Sequence, residues 1–172
     1  MKNTVKILTV LLICFTFTSC DDDILDVDFN TTVTATIVAH VDQDQETIDE
    51  SVVLSLDNND THDYLDNIKN VKIKKLTYKI ISFSGDVEGY IDVDFYADTI
   101  TLTTEEFFVK EAFDATTIFE VTDVSKLNTM ANLLKNNNST TVGIIGQCLA
   151  VEEAMDFNIE VTAELEVTAN PL

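Results

Sequence analysis

Residues 157–168 read FNIEVTAELEVT, and apolar and polar residues alternate at every position of this stretch. A period of two places alternate side chains on opposite faces of an extended chain, so the stretch predicts a half-buried β-strand. The same period appears over 31–42. There the apolar face comprises Val33, Ala35, Ile37, Ala39 and Val41. Shorter apolar runs predict further strands over 51–56, 99–102, 107–109, 118–121 and 141–151.

Two more β-like runs lie between 71 and 96 and flank Ser84-Gly85, which predicts a hairpin with that turn. In this register one side of the hairpin is apolar and the other is charged. The apolar pairs would be Leu76 with Val93 and Tyr78 with Ile91, and the charged pairs would include Lys75 with Asp94.

The predicted hairpin also explains a cluster of five lysines, namely Lys69, Lys72, Lys74, Lys75 and Lys79. Opposite charges on paired strands attract, so we expect neutralisation within the sheet rather than a basic binding patch. The expected acidic partners on the second strand are Asp86, Glu88, Asp92 and Asp94.

The period changes once, after Asp123, which can cap a helix that ends near 136–138. Its apolar stripe comprises Val124, Leu127, Met130, Ala131 and Leu134. Seven to nine short strands and this helix predict a mainly β fold over 31–172. The expected architecture is an antiparallel, immunoglobulin-like β-sandwich with one connecting amphipathic helix.

The chain is strongly acidic, with ten lysines, no arginine and a net charge of −21. Nucleic acid and anionic lipid headgroups are therefore poor partners, and we expect no nucleic-acid binding, because phosphate binding needs clustered cations. An acidic surface fits solubility, divalent cations or a basic partner.

The first nineteen residues resemble a bacterial signal peptide, with Lys2 and Lys6 preceding an apolar run over 7–17. Eleven residues are too short to span a bilayer. Phe17-Thr18-Ser19-Cys20 then resembles a lipobox, in the looser form used by Bacteroidota, whose first residue is not always leucine. The resemblance implies that 1–19 are removed, that Cys20 carries the lipid and that 20–30 form a tether. A plain secretory signal with an incidental cysteine is the alternative.

Asp21, Asp22 and Asp23 resemble the acidic export signal of flavobacterial outer-membrane lipoproteins. This implies display at the cell surface, although a solvated tether facing the periplasm would look the same. The body resembles small uncharacterised flavobacterial β-sandwich lipoproteins, through the anchor and the terminal VTANPL. Asp98-Thr99-Ile100 resembles a Bacteroidota O-glycosylation acceptor with Thr99 as the modified residue, and a strand start explains it equally well.

The mature chain offers little for catalysis: two histidines, His40 and His62, and one thiol, Cys148. We expect exposed histidines and a buried cysteine, and we assign no catalytic residue, metal ligand or cofactor. Two acidic loops could supply oxygen ligands to calcium. They contain Asp57, Asp60 and Asp63 in one case and Asp42, Asp44 and Glu46 in the other.

The sequence therefore predicts a lipid-anchored, non-enzymatic binding, adhesion or accessory subunit of the outer membrane. Its partners would be the membrane, through Cys20, and an outer-membrane protein complex. The alternative is a carboxylate-based surface enzyme acting on glycans, with or without calcium.

Overall fold

Two four-stranded antiparallel sheets pack face to face in the computed structural model, which describes residues 26–149 and 151–170. The strands are β1 Val27–Val41, β2 Thr47–Ser55, β3 Ile68–Gly85, β4 Tyr90–Ala97, β5 Ile100–Phe108, β6 Ile118–Glu120, β7 Ser139–Leu149 and β8 Met155–Ala169. The helices are a 3₁₀ helix His62–Asn67, α1 Val109–Asp114 and α2 Val124–Asn137.

The strand order is β1-β8-β3-β6 in one sheet and β2-β7-β4-β5 in the other. We call these the lysine sheet and the acidic sheet, because every lysine that lies in a strand belongs to β3 of the first. The predicted antiparallel β-sandwich is confirmed. Most consecutive strands lie in opposite sheets, which is the connectivity of an eight-stranded jelly roll rather than of a seven-stranded immunoglobulin domain.

Strand β8 lies at the centre of the lysine sheet and confirms the strand predicted over 157–168. It pairs with β1 over the whole length of both strands and with β3 on its other side. Its apolar side chains, from Phe157 to Val167, are at most 1% exposed and fill the space between the sheets. The alternation predicted for 31–42 is likewise present in β1.

The sandwich begins at Val27, so the predicted start at residue 31 is wrong. Val27 pairs with Ala169, and the Thr168 hydroxyl donates to an Asp28 carboxylate oxygen at 2.6 Å. The end of β8 therefore extends the sheet into the predicted tether. The predicted signal peptide, Cys20 and the acidic run Asp21 to Asp23 lie outside the described residues.

The predicted hairpin over 71–96 is wrong, because β3 and β4 belong to opposite sheets. Gly85 ends β3 with a φ of 103°, and a Cβ there would lie 2.1 Å from the Ala154 carbonyl oxygen, so the glycine permits the chain to leave the sheet. The predicted apolar faces are nevertheless correct. Tyr78 and Phe95 meet across the core with ring centroids 4.2 Å apart.

Four of the five β3 lysines lie beside β8 glutamates, so the predicted neutralisation within the sheet comes from β8 rather than β4. The fifth, Lys69, contacts Asp26. Lys75 pairs with Glu164, and Lys74 Nζ lies 2.9 Å from Glu166 Oε2. This contact lowers the pKa of Glu166. The carboxylate of Asp86, an expected partner, instead accepts backbone N–H groups of residues 88, 152 and 153.

Helix α2 confirms the predicted connecting helix, and α1 is an additional short one. The Asp123 carboxylate accepts the N–H groups of Ser125 at 2.9 Å and Lys126 at 3.2 Å, as expected for an N-cap. The predicted stripe is buried apart from Val124, which is 67% exposed because it precedes the first contact with the core. Within residues 26–149 and 151–170 no helix has the length and apolar character to cross a membrane.

Charge reversal tests the corrected pairing of β3. We expect Lys75→Glu to lower the free energy of unfolding by roughly 0.2–1 kcal/mol, because it places two acidic side chains opposite each other. Adding Glu164→Lys should restore the loss, whereas adding Asp94→Lys should not. Urea unfolding of the four proteins measures this, and rescue by Asp94→Lys alone would contradict the register.

The core contains a polar atom whose removal should increase the stability of the folded protein. Tyr78 is fully buried, and its hydroxyl has no hydrogen-bond partner among the described residues. We expect Tyr78→Phe to raise the free energy of unfolding by about 1 kcal/mol, because an unpaired buried hydroxyl is costly. Phe95→Ala, its ring neighbour, should instead lower it by about 3–5 kcal/mol. A Tyr78→Phe protein less stable than the parent would show that the hydroxyl has a partner.

Candidate functional site

The outer faces of the two sheets differ sharply in charge. On the lysine sheet, β3 lysines alternate with β8 glutamates, so the face is nearly balanced. The four strands of the acidic sheet contain no lysine. Their solvent-facing positions carry Asp49, Asp92, Asp94 and Glu106. The acidic sheet is therefore the negative face of the molecule.

A groove of about 500 Å³ lies at one end of the acidic sheet, where β4 begins, β5 ends and α1 follows β5 directly. We call it the aromatic groove. The lining residues that carry chemistry are Tyr90, Glu106, Phe107, Phe108, Glu111 and Phe119. The groove therefore combines four aromatic rings with two carboxylates.

The outer side of the groove is formed by Tyr90 and Phe108, which are paired across β4 and β5. Their ring centroids lie 5.0 Å apart with an interplanar angle of 65°, an edge-to-face arrangement. The Tyr90 hydroxyl donates to Glu106 Oε2 at 2.7 Å. This hydrogen bond raises the pKa of Tyr90, because ionisation would place a phenolate against a carboxylate.

The inner side of the groove is held by the core. Phe107 lies 4.7 Å from Phe119 between ring centroids, and Phe119 lies 5.9 Å from the buried Phe95. Consecutive residues of a strand point to opposite faces, so Phe107 packs inward while Phe108 stays 38% exposed. The pair Phe107-Phe108 is thus a usable sequence signal for the groove, although the apolar run over 107–109 by itself predicts only a short strand.

The two histidines are exposed, as predicted, and neither lines the aromatic groove. His40 Nδ1 lies 2.7 Å from Asp156 Oδ1, and its Nε2 lies 3.2 Å from Asp42 Oδ1, which raises the pKa of His40. His62 forms a similar contact with Asp57. These are surface contacts, which become ion pairs when the imidazole is protonated.

Cys148 is buried, as predicted. Burial raises the pKa of its thiol to about 11, so the thiolate that nucleophilic or metal-binding chemistry requires is scarce at neutral pH. The side chain therefore acts as a small core residue.

The acidic loop at residues 57–63 closes onto β1. The Thr31 hydroxyl donates to Asp60 Oδ2 at 2.9 Å, and the Asn58 side-chain oxygen accepts the N–H groups of Asp60 and Thr61. Throughout the described part of the chain, no three His, Cys, Asp or Glu side chains are grouped so as to hold a metal ion. This also holds for the second predicted calcium loop, which contains Asp42, Asp44 and Glu46.

Thr99 is exposed in the two-residue turn between β4 and β5, at the end of β4 opposite the aromatic groove. Its neighbour Asp98 has a φ of 48° and accepts hydrogen bonds from Thr140 and Thr141. These bonds fix the turn and leave Thr99 accessible. Glycosylation at Thr99 stays a prediction.

No family model and no curated protein matches the chain. Among solved structures, the fold is similar to a decameric BFDV capsid protein, with a TM-score of 0.44, 9% identity, and coverage of 82% of this chain and 99% of that one. The 60-mer BFDV capsid protein has a TM-score of 0.41 and 11% identity, with coverage of 85% of this chain and 96% of that one. A Desmodium yellow mottle tymovirus chain has a TM-score of 0.40 and 12% identity, with coverage of 84% of this chain and 81% of that one. These similarities are distant and concern the fold alone.

The contact between Tyr90 and Glu106 can be tested by titration. We expect Glu106→Gln to lower the pKa of Tyr90 towards 10, since the amide still accepts the hydroxyl but carries no charge. Asp94→Asn, a matched change on the same sheet face, should leave the pKa of Tyr90 as high as it is in the parent protein. Tyrosine ring NMR signals followed with pH measure both variants. An unchanged Tyr90 pKa in Glu106→Gln would contradict the geometry of the groove.

Proposed function

We propose that this protein is a lipid-anchored, non-enzymatic binding or accessory subunit of the outer membrane that displays the aromatic groove away from the bilayer. The observation that carries the proposal is the position of the groove relative to Val27, the first residue of the sandwich. Cys20 would supply the lipid and Asp21, Asp22 and Asp23 the export signal.

The tether between the lipid and the sandwich is short. Six residues, 21–26, separate Cys20 from Val27. Fully extended, the seven Cα–Cα steps from Cys20 to Val27 span at most about 25 Å. A lipid on Cys20 therefore keeps the Val27 end of the sandwich close to the headgroups.

The groove lies at the other end. Strand β1 runs for fifteen residues from Val27 to Val41, a distance of roughly 50 Å. Val41 pairs with Met155, and Met155 pairs with Gly85. Since β4 starts at Tyr90, five residues after Gly85, the aromatic groove belongs to this distant end.

A binding role fits the chemistry of that end. Phe108 is 38% exposed, and Leu149, which pairs with the position of Tyr90, is 45% exposed. Exposed apolar and aromatic side chains gathered on one surface are characteristic of protein interaction sites. The anchor would place this surface where a partner at the membrane can reach it.

Replacing Cys20 tests the anchor. We expect Cys20→Ala to move the protein from the membrane pellet to the soluble fraction, because a stable attachment requires acyl chains. Cys14→Ala, a matched change within the leader, should remain in the pellet. Retention of Cys20→Ala in the pellet would contradict lipidation.

The same cells test the surface placement. Replacing Asp21, Asp22 and Asp23 with alanine should leave the protein in the pellet but protect it from protease added to whole cells. Equal digestion of this variant and the parent would contradict the export role of the acidic run.

A further inference from the structure

The structure assigns a ligand class to the aromatic groove: we infer that it binds the guanidinium of an arginine side chain on a basic partner polypeptide. The inference deepens the proposed function, because it treats the same groove as the binding surface. It is carried by the charge of the groove, the exposed rings and the free acceptor of Glu106.

The groove is negative and has no cation of its own. Glu106 and Glu111 are its charged lining residues. The one lysine of α1, Lys110, is paired with Asp114 one helical turn later. The two strands of the acidic sheet that line the groove, β4 and β5, contain no lysine. The carboxylates therefore attract a cationic group, and no positive charge in the groove lining opposes that attraction. An anionic group is repelled.

The rings make the site selective for a planar cation. Tyr90 and Phe108 stand edge to face at the rim, and their faces can attract a cation that lies within about 6 Å of a ring centroid. Arginine is favoured over lysine because its flat guanidinium stacks on a ring while its N–H groups point at a carboxylate.

Glu106 supplies the matching acceptor. The Tyr90 hydroxyl donates to its Oε2 atom, and Oε1 has no donor among the described residues. The hydrogen bond holds the carboxylate beside the ring. A guanidinium stacked on Tyr90 could then donate to Oε1 through a charge-assisted hydrogen bond.

The neighbouring surface suits a polypeptide rather than a free cation. Leu149 lies across the strand pair from Tyr90 and is 45% exposed, so it offers an apolar contact beside the groove. An arginine within a chain brings flanking residues that can cover Leu149. A metal ion or a small amine would leave it exposed.

The test titrates the full-length protein, isolated in detergent, with N-acetylarginine methylamide and follows the ring NMR signals of Tyr90 and Phe108. N-acetylcitrulline methylamide is the matched probe, since it keeps the shape and loses the charge. We expect saturable shifts at both rings and at least about fivefold weaker binding of the citrulline probe. Equal binding of the two probes would overturn the inference.

Two variants locate the site. Glu106→Gln should weaken the arginine probe at least about fivefold, because it keeps the tyrosine contact but removes the charge. Asp94→Asn, on the same sheet face, should change the affinity by less than about twofold. A similar loss in both variants would mean nonspecific attraction to an acidic face and would overturn the inference.

Methyl β-glucoside and calcium chloride are titrated as alternative ligands. Shifts of Tyr90 and Phe108 with either one, at concentrations where the arginine probe gives none, would overturn the choice of ligand. These measurements do not depend on the lipid, so their failure is distinguishable from a failure of the membrane anchor, which the fractionation of Cys20→Ala reports.

Discussion

Burial of one face of β8 is the constraint on which the rest of the structure depends. Apolar side chains at alternate positions from Phe157 to Val167 need a covering layer, and each of them larger than alanine contributes about 1.5–3 kcal/mol when it is fully buried. The strand has neighbours on both edges, β1 and β3, so it is the centre of its sheet. The second sheet covers the apolar face, and α2 covers part of the remaining core with Leu127, Met130 and Leu134.

The same strand sorts the charges of the molecule. The outward positions of β8 are rich in glutamate, and the adjacent β3 supplies lysines opposite them. Four of the ten lysines, Lys72, Lys74, Lys75 and Lys79, are used in this way, on a chain with thirty-one acidic residues. The other sheet is therefore left without positive charge. The aromatic groove lies at the end of that sheet, which links the negative charge of its lining to the packing of β8.

The alternation of apolar and polar residues predicts where strands lie and which of their faces is buried. It does not predict which strands pair with each other. The strands over 31–42 and 157–168 and the helix cap at Asp123 follow from period and side-chain chemistry, and the structure has all three. The partner of β3 could not be read in this way. The alternating pattern of a strand is the same whether the next strand lies beside it in one sheet or opposite it in the other sheet. Acidic residues that could pair with the lysines also lie on both β4 and β8, so charge did not decide between the two arrangements. The groove was missed because Tyr90, Phe108 and Phe119 come from separate strands that only the topology brings together.

In the proposed function the sandwich is a spacer as well as a scaffold, because a lipid on Cys20 would hold the Val27 end near the bilayer and leave the groove at the opposite end. Paramagnetic relaxation from spin-labelled lipid headgroups, measured by NMR on the lipidated protein in bicelles, tests this directly. We expect strong broadening at Val27, Ile68 and Thr99 and sharp signals at Tyr90 and Phe108. Strongest broadening at Tyr90 and Phe108, or equal broadening at both ends, would contradict it.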